Sequence, residues 1–246
     1  MKHATLVRAL AVTVAVALVG LTSCGVNTKG IRRMQAIEEG VDSPNTIEEL
    51  TEAITKYQKR IEDVLNADIR VGMWYKILAI RYLDNGMYAK ALENFRTAIE
   101  YYPTNQNLYY YVGVCAGYMA KASLDFDATG TRAERDRYYA LAESAYLRAI
   151  ELEPKYIRSL YGLSILYVFE LNTPEKAIPY LETIMEIEKR NIEAMFVLAR
   201  AYYSTGEGEK AVAMYNKILE FNLDDQRKAE AEANKATVLA QMYGKN

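Results

Sequence analysis

Residues 72–103, GMWYKILAIRYLDNGMYAKALENFRTAIEYYP, decide the fold of this chain. Small and aromatic residues recur in this stretch at spacings of three and four, the pattern of helices that each pack one face. The first face carries Tyr75, Leu78, Ala79 and Tyr82, and the second carries Ala91, Phe95 and Ala98. Gly86 lies between the faces and suits a turn, while Pro103 ends the second helix because it lacks a backbone N–H. The stretch therefore predicts an antiparallel helix pair.

The offsets in this pair resemble those of the tetratricopeptide repeat, whose pattern W-x2-L-G-x2-Y, then A-x3-F-x2-A-x4-P, recurs about every 34 residues. Four units follow this pattern, at about 72–105, 106–156, 157–191 and 192–225. In the second unit the second-helix residues arrive late, so we assign an insertion to 121–137. The resemblance implies an all-α solenoid of helical hairpins, wound as a right-handed superhelix with a concave inner face.

Helices are also predicted at both ends of the repeats. Thr46 and Glu49 have the spacing of a capping box ahead of a helix that we expect to cover the open end of the first unit. At the other end, 225–243 is rich in Ala, Glu and Lys, which suits a solvated capping helix. Inside the third unit, Thr173 and Pro174 suit the start of a helix, and Pro179 is expected to disturb that helix locally.

The N-terminus has the charge and hydropathy pattern of a secretory signal. Residues 1–23 contain an apolar run from Ala9 to Leu21 behind Lys2 and Arg8, which is short for a membrane span. The following residues, LTSCG at 21–25, resemble a lipobox. This resemblance implies cleavage before Cys24, acylation of that residue with fatty acids such as palmitate, and a tether at 24–45 ahead of a helical domain at 46–246. An ordinary signal peptide or an uncleaved anchor is the alternative.

The composition argues against several classes of function. His3 is the only histidine and would leave with the signal, so His-dependent catalysis and His-ligated zinc are excluded for the mature chain. Cys115 lies among core positions and is expected to be a buried, inert thiol. The net charge is −2 and no basic stripe occurs, so we expect no nucleic-acid partner. No motif suggests an enzyme or a cofactor.

The resemblance also implies which residues line the concave groove. The fifth positions of the four units hold Lys76, Tyr110, Tyr161 and Phe196. Further groove positions hold Tyr118, Phe169, Arg200 and Tyr203. An exposed aromatic surface of this kind indicates a partner; the alternative is that the terminal helices or the insertion bury these rings. The carboxylate clamp of chaperone-binding members does not transfer, because Ile80 stands where an Asn would be expected.

These observations predict a membrane-anchored protein–protein interaction scaffold of the bacterial cell envelope that binds a protein or peptide in its groove. We expect it at the periplasmic face of the outer membrane in preference to the inner membrane. The alternative is a small-molecule-binding accessory lipoprotein of a periplasmic transport system. The scaffold requires an open groove, whereas the small-molecule-binding lipoprotein requires an aromatic-lined pocket closed by the insertion.

The insertion suggests a secondary hypothesis of calcium binding. It resembles the calcium loop of EF-hands, with oxygen ligands expected from Asp125, Asp127, Thr129, the Thr131 carbonyl and Asp136. Two features depart from that motif: Asp136 replaces the longer Glu, and Arg132 occupies an apolar position. Loops rich in Asp, Thr and Gly also form simple turns, which is the alternative.

Overall fold

The computed structural model describes residues 46–123 and 131–244. The predicted signal peptide, Cys24 and the tether lie outside these residues. The chain divides into two compact units, Met1–Val64 and Leu65–Asn246. The described part of the first unit is helical, and the site discussed below lies wholly in the second.

Helices account for most of the described residues, and no strand occurs among them. In chain order they are α1 (Ile47–Asp84), α2 (Tyr88–Tyr101), α3 (Gln106–Ala122), α4 (Thr131–Leu152), α5 (Ile157–Ile165), a π-helical segment (Leu166–Glu170), α6 (Pro174–Ile187), α7 (Ile192–Ser204), α8 (Gly208–Leu219) and α9 (Asp225–Tyr243). Sequence neighbours pack against one another from α2 onward in the second unit. The prediction of an all-α stack of helical hairpins is confirmed.

Helix α1 begins as predicted but is longer than predicted. The Thr46 N–H donates to Glu49 Oε2 at 3.1 Å, and the Glu49 N–H donates to Thr46 Oγ1 at 3.2 Å, which is a complete capping box. We expected a separate helix here, and that prediction was wrong. No Gly or Pro interrupts 47–71, so the helix runs unbroken into the first repeat. Apolar side chains along its first turns, such as Ile47 and Ile54, are exposed.

Close packing in the second unit depends on the small residues that the pattern identified. Ala79, Ala91 and Ala98 are fully buried, and a Cβ at Gly72 would lie 2.5 Å from the Tyr101 Cβ. Gly86 and Gly206 have φ of +70° and +81°, as the predicted turns require. Cys115 is fully buried and carries no disulfide, and burial raises the pKa of its thiol to about 12. It is therefore an unreactive core residue.

The third unit differs from the prediction at two places. Leu166–Glu170 forms a π-helical turn, which the helical pattern did not predict. Pro179 does not disturb its helix, because α6 is continuous from Pro174 to Ile187. Only the hydrogen bond to the Glu175 carbonyl is lost, and that residue is exposed to water. Pro174 is the first residue of α6, but the Thr173 side chain makes no capping hydrogen bond.

The insertion is mostly helical where it is described. Helix α3 extends to Ala122, and α4 starts at Thr131 and runs for 22 residues. Asp125, Asp127 and Thr129 lie outside the described residues. Asp136 is described and pairs with Arg135 at 3.2 Å. Within 46–123 and 131–244 no group of three or more acidic, Cys or His side chains could hold a metal, and calcium binding by the loop stays a prediction.

The C-terminal helix α9 packs on α8 and buries little. Ala231 and Val238 are its buried residues, and most of its charged side chains are exposed. It therefore has the solvated surface that a terminal repeat needs. None of the helices in the described ranges combines the length and the apolar character needed to cross a membrane.

Candidate functional site

A cleft of about 330 Å³ lies between α3, α4 and α5. Its α3 wall is formed by Tyr110, Val114, Gly117, Tyr118 and Lys121. These positions are spaced by four, three, one and three residues, so they form one face of the helix. The opposite wall comes from α5, through Arg158, Tyr161, Gly162 and Ile165. The cleft thus separates the first helices of two successive repeat units.

The floor of the cleft is the ring of Tyr146, which α4 inserts between α3 and α5. A Cβ at Gly113 would lie 2.6 Å from its Cε1 atom, and a Cβ at Gly162 would lie 2.9 Å from the same atom. Real Cβ atoms do not approach so closely, so both positions need glycine to admit the ring. The ring is almost fully buried, and burial raises the pKa of its hydroxyl.

Gly117 differs from these two glycines because no packing explains it. It lines the cleft in the middle of α3, yet a Cβ built there would meet no atom of the described residues within 4 Å. Glycine in a helix interior costs about 0.5–1 kcal/mol relative to alanine. Packing within 46–123 and 131–244 does not require this glycine, and its effect there is to leave space between Tyr110, Tyr118 and Tyr161.

Arg158 supplies a positive charge at one side of the cleft. Its guanidinium lies 4.4 Å from the Tyr110 ring centroid and 5.3 Å from that of Tyr111, both cation–π contacts. Burial by itself lowers its pKa, but the hydrogen bond with Tyr111 and the adjacent phenols outweigh it and leave the pKa raised. Within the described parts of the chain Arg158 forms no salt bridge. The charge is held in place without a carboxylate beside it.

Glu170 sits at the other side of the cleft and is neutralised there. It accepts a hydrogen bond of 2.6 Å from the Tyr139 hydroxyl and pairs with Lys121 Nζ at 2.9 Å. Burial raises the pKa of Glu170, but the hydrogen bonds from Tyr139 and Lys121 outweigh burial and lower it below its ordinary value. Burial and the hydrogen bond to Glu170 raise the pKa of Tyr139 to about 12. The three side chains join α3, α4 and the π-helical segment.

This triad should make stability depend on pH. A carboxylate whose pKa is lowered on folding stabilises the fold above its ordinary pKa of 4.5, and this contribution disappears as the pH falls through the folded-state value. We expect Glu170→Gln to lower the unfolding free energy by about 1 kcal/mol at pH 7 and by much less at pH 3. Melting temperatures of both proteins at the two pH values test this, and an equal difference at both would contradict it.

The structure brings three of the predicted groove residues together: Tyr110, Tyr118 and Tyr161 line the cleft. The others lie elsewhere. The Phe196 and Tyr215 rings pack edge to face with their centroids 6.2 Å apart. The Tyr203 hydroxyl donates a hydrogen bond to Gln241 Oε1 on α9. Arg200 lies over the Tyr203 ring at 5.6 Å, Phe169 is exposed outside the cleft, and Lys76 is half-buried on α1. The fifth-position aromatic residues Tyr110, Tyr161 and Phe196 therefore do not line one cleft.

Sequence reasoning missed Arg158, Gly117 and the Glu170 triad. Arg158 occupies the second position of its unit, which is among the groove positions of the resemblance and could have been found by counting. Gly117 has no side chain, so a search for contact residues passes over it. Glu170 lines the cleft because it lies in the π-helical turn. The regular period of an α-helix does not predict which way the Glu170 side chain points there.

Comparison with known proteins identifies the repeats. Residues 78–116 and 168–234 match family models of the tetratricopeptide repeat. These two segments are therefore similar to tetratricopeptide repeats. A TPR repeat-containing protein of Borreliella burgdorferi is 26% identical over 221 residues, which cover 88% of this chain and 90% of that protein. Tetratricopeptide repeats generally mediate protein–protein interactions through the surfaces that stacked helices create.

Solved structures show the same fold. YrrB, described as a TPR protein with an unusual peptide-binding site, superposes with a TM-score of 0.55 at 20% identity, covering 70% of this chain and 78% of its own. TTC0263, a thermophilic TPR protein of Thermus thermophilus, gives a TM-score of 0.53 at 22% identity, covering 75% of this chain and 93% of its own. At these identities the likeness concerns the fold alone.

Proposed function

We propose that this protein is a membrane-anchored scaffold that holds a segment of a partner protein in the cleft between α3 and α5. The observation that carries the proposal is Gly117, a helix-interior glycine that faces an aromatic cleft where a Cβ would meet none of the residues that the structure describes. Tyrosines suit such binding because they offer broad contact area at low entropy cost and a hydroxyl for hydrogen bonding. The peptide-binding site named for YrrB is consistent with this proposal.

The charges of the cleft indicate what the segment contains. Lys121 and Glu170 neutralise each other, whereas Arg158 has no carboxylate beside it among the residues that the structure describes. A segment that places an apolar or aromatic side chain among Tyr110, Tyr118 and Tyr161 and a carboxylate beside Arg158 would complement both features. The scaffold has no reaction to perform, and no cofactor is needed for this role.

The proposed location is the bacterial cell envelope, with the lipid on Cys24 as the anchor. The LTSCG sequence at 21–25 supports it. Two or three acyl chains would hold the protein at a membrane, because each buried CH₂ contributes about 0.8 kcal/mol. The periplasmic face of the outer membrane is the proposed side, where a helical domain could collect a partner from the periplasm.

The cleft can be filled without disturbing the fold. Gly117→Leu places a branched side chain in the empty space, while Gly117→Ala adds a single methyl group and should stabilise α3 by about 0.5–1 kcal/mol. We expect wild type and Gly117→Ala to retain a crosslinked partner in native membranes, and Gly117→Leu to lose it. A Cys24→Ser control should release the protein from the membrane fraction.

The partner must then be tested directly. A synthetic peptide from its crosslinked segment, titrated calorimetrically, should bind wild type and Gly117→Ala alike and bind Gly117→Leu at least tenfold more weakly. Equal binding to all three folded proteins would contradict the cleft as the site. Membrane release without a change in peptide binding would separate the anchor from the cleft.

A small ligand is the second candidate, favoured by one observation. A volume of about 330 Å³ lies at the lower end of the range for small-molecule pockets. In that case native mass spectrometry of protein purified from its source would show a bound mass that Gly117→Leu lacks, and no crosslinked partner would depend on the cleft.

A further inference from the structure

A second arginine faces the same side of the repeats as the cleft. Val114 and Ile165, which line the cleft, are the ninth residues of the units that start at 106 and 157. Arg200 is the ninth residue of the unit that starts at 192, so the repeat places its side chain on the corresponding side of α7. Helices α5 and α7 contact each other. Arg200 therefore lies on the surface next to the cleft, one first helix further along the stack.

Arg200 is held in the same manner as Arg158. Its guanidinium lies 5.6 Å from the Tyr203 ring centroid, and the Arg158 guanidinium lies 4.4 Å from that of Tyr110. Arg200 is exposed, and it forms no salt bridge with any residue that the structure describes. The surface thus presents two guanidiniums, each placed by a phenol ring, that could each accept a carboxylate from a partner.

The acidic residues around Arg200 do not occupy it. Glu193 lies on the same face of α7 and forms a salt bridge of 2.5 Å with Arg227. Burial raises the pKa of the Tyr215 hydroxyl, and Arg200 and Glu230 then act on it in opposite directions. Arg200 and Glu230 nevertheless form no salt bridge with each other. A partner carboxylate can therefore reach Arg200 without displacing a carboxylate of the described residues.

We propose that the partner segment carries two carboxylates, one bound by Arg158 and one by Arg200; this inference rests on the proposed function. The two arginines are the second and ninth residues of their units, so they are offset by about 10 Å along first helices that run in the same direction. With helix axes about 8–10 Å apart, their separation is about 14 Å. An extended chain covers that distance in about four residues.

This spacing defines a pattern for the segment. Successive side chains of an extended chain point to opposite sides, so residues i, i+2 and i+4 face the same way. Tyr161 is the fifth residue of its unit, lies between the levels of the two arginines and lines the cleft. Residue i+2 therefore lies over Tyr161 and is the apolar or aromatic residue that enters the cleft. The segment has the pattern acidic-x-aromatic-x-acidic, which reads the same in both directions.

Two peptides with blocked ends test the pattern on the full chain carrying Cys24→Ser in a non-ionic detergent. Acetyl-EAFAE-amide carries both carboxylates, and acetyl-EAFAQ-amide carries one. In calorimetric titrations EAFAE should bind at least about fivefold more tightly. Arg200→Gln should abolish this difference without changing the binding of EAFAQ. Arg96→Gln makes the same change at an exposed arginine of α2 and should leave both affinities unchanged.

The spacing has its own control. Blocked peptides EAFE and EAFAAE, whose glutamates are three and five residues apart, should bind no better than EAFAQ. Equal binding of EAFAE and EAFAQ, or an advantage of EAFAE that survives Arg200→Gln, would overturn the inference, and so would a wild type that does not bind EAFAE. The proposed function fails in a different way, through a native partner that Gly117→Leu still retains. A ligand that depends on Gly117 and not on Arg200 contradicts this inference alone.

Discussion

Replacing Phe95 with alanine is expected to lower the free energy of unfolding by about 3–5 kcal/mol. Phe95 is fully buried, and its ring stacks on Tyr111 with centroids 5.0 Å apart. Alanine would leave a cavity between α2 and α3 and remove this stacking. Since Tyr111 also contacts Arg158, the loss should loosen the cleft as well as the core. Urea unfolding followed by circular dichroism measures the change.

Phe169→Ala is the matched control for the core substitution. The same side chain is removed, but Phe169 is 53% exposed on the π-helical segment. We expect the unfolding free energy to change by no more than about 0.5 kcal/mol. Similar losses for both variants would mean that Phe169 is covered in solution and that the core does not depend specially on Phe95.

Gly113→Ala is expected to lower the unfolding free energy by about 1–2 kcal/mol, although alanine is the better helix former. The added methyl group would lie 2.6 Å from the Tyr146 ring, which Gly162 confines from the other side. The ring or one of the two helices must then move. Gly117→Ala, one turn along the same helix, should change the stability in the opposite direction because its methyl group meets none of the described residues within 4 Å.

Parallel urea titrations of these two variants give the comparison. If Gly113→Ala were as stable as Gly117→Ala, the Tyr146 ring, which forms the floor of the cleft, would be able to move aside. The two glycines are four residues apart on α3, so intrinsic helix propensity cannot explain a difference in sign.

The sequence was sufficient to predict the helix pairs, their turns and part of the site. Alanine and aromatic residues at spacings of three and four report packing between neighbouring helices, which is local along the chain, so the pairs around Gly86 and Gly206 could be assigned. Tyr110, Tyr118 and Tyr161 could be assigned to facing helices for the same reason, and they line one cleft. They lie on the first helices of adjacent units, whose register the repeat determines.

The remaining features depend on contacts that periodicity does not record. Helix α1 continues through 47–71 because nothing in the sequence stops it, and the capping box marks only where it starts. Phe196 and Tyr203 lie away from the cleft because they pack against Tyr215 and α9, and Gln241 of that helix is far away in sequence. Gly117 leaves space in the cleft because it has no side chain, and no pattern of residues shows this.

The π-helical turn at Leu166–Glu170 occurs in a repeat unit that is one residue longer than the first and fourth units. Ala177 is the twenty-first residue of the third unit, whereas Ala91 and Ala211 are the twentieth of theirs, so this unit is one residue longer. A single-residue insertion into a helix commonly produces a π-turn of this kind. The extra residue of the third unit is thus accommodated inside the helix, and the following turn keeps its position.

Glu170, which contacts Tyr139 and Lys121, belongs to this widened turn. The polar side of the cleft therefore originates in an irregularity of repeat length, and relatives with a regular third unit would need a different residue to occupy it.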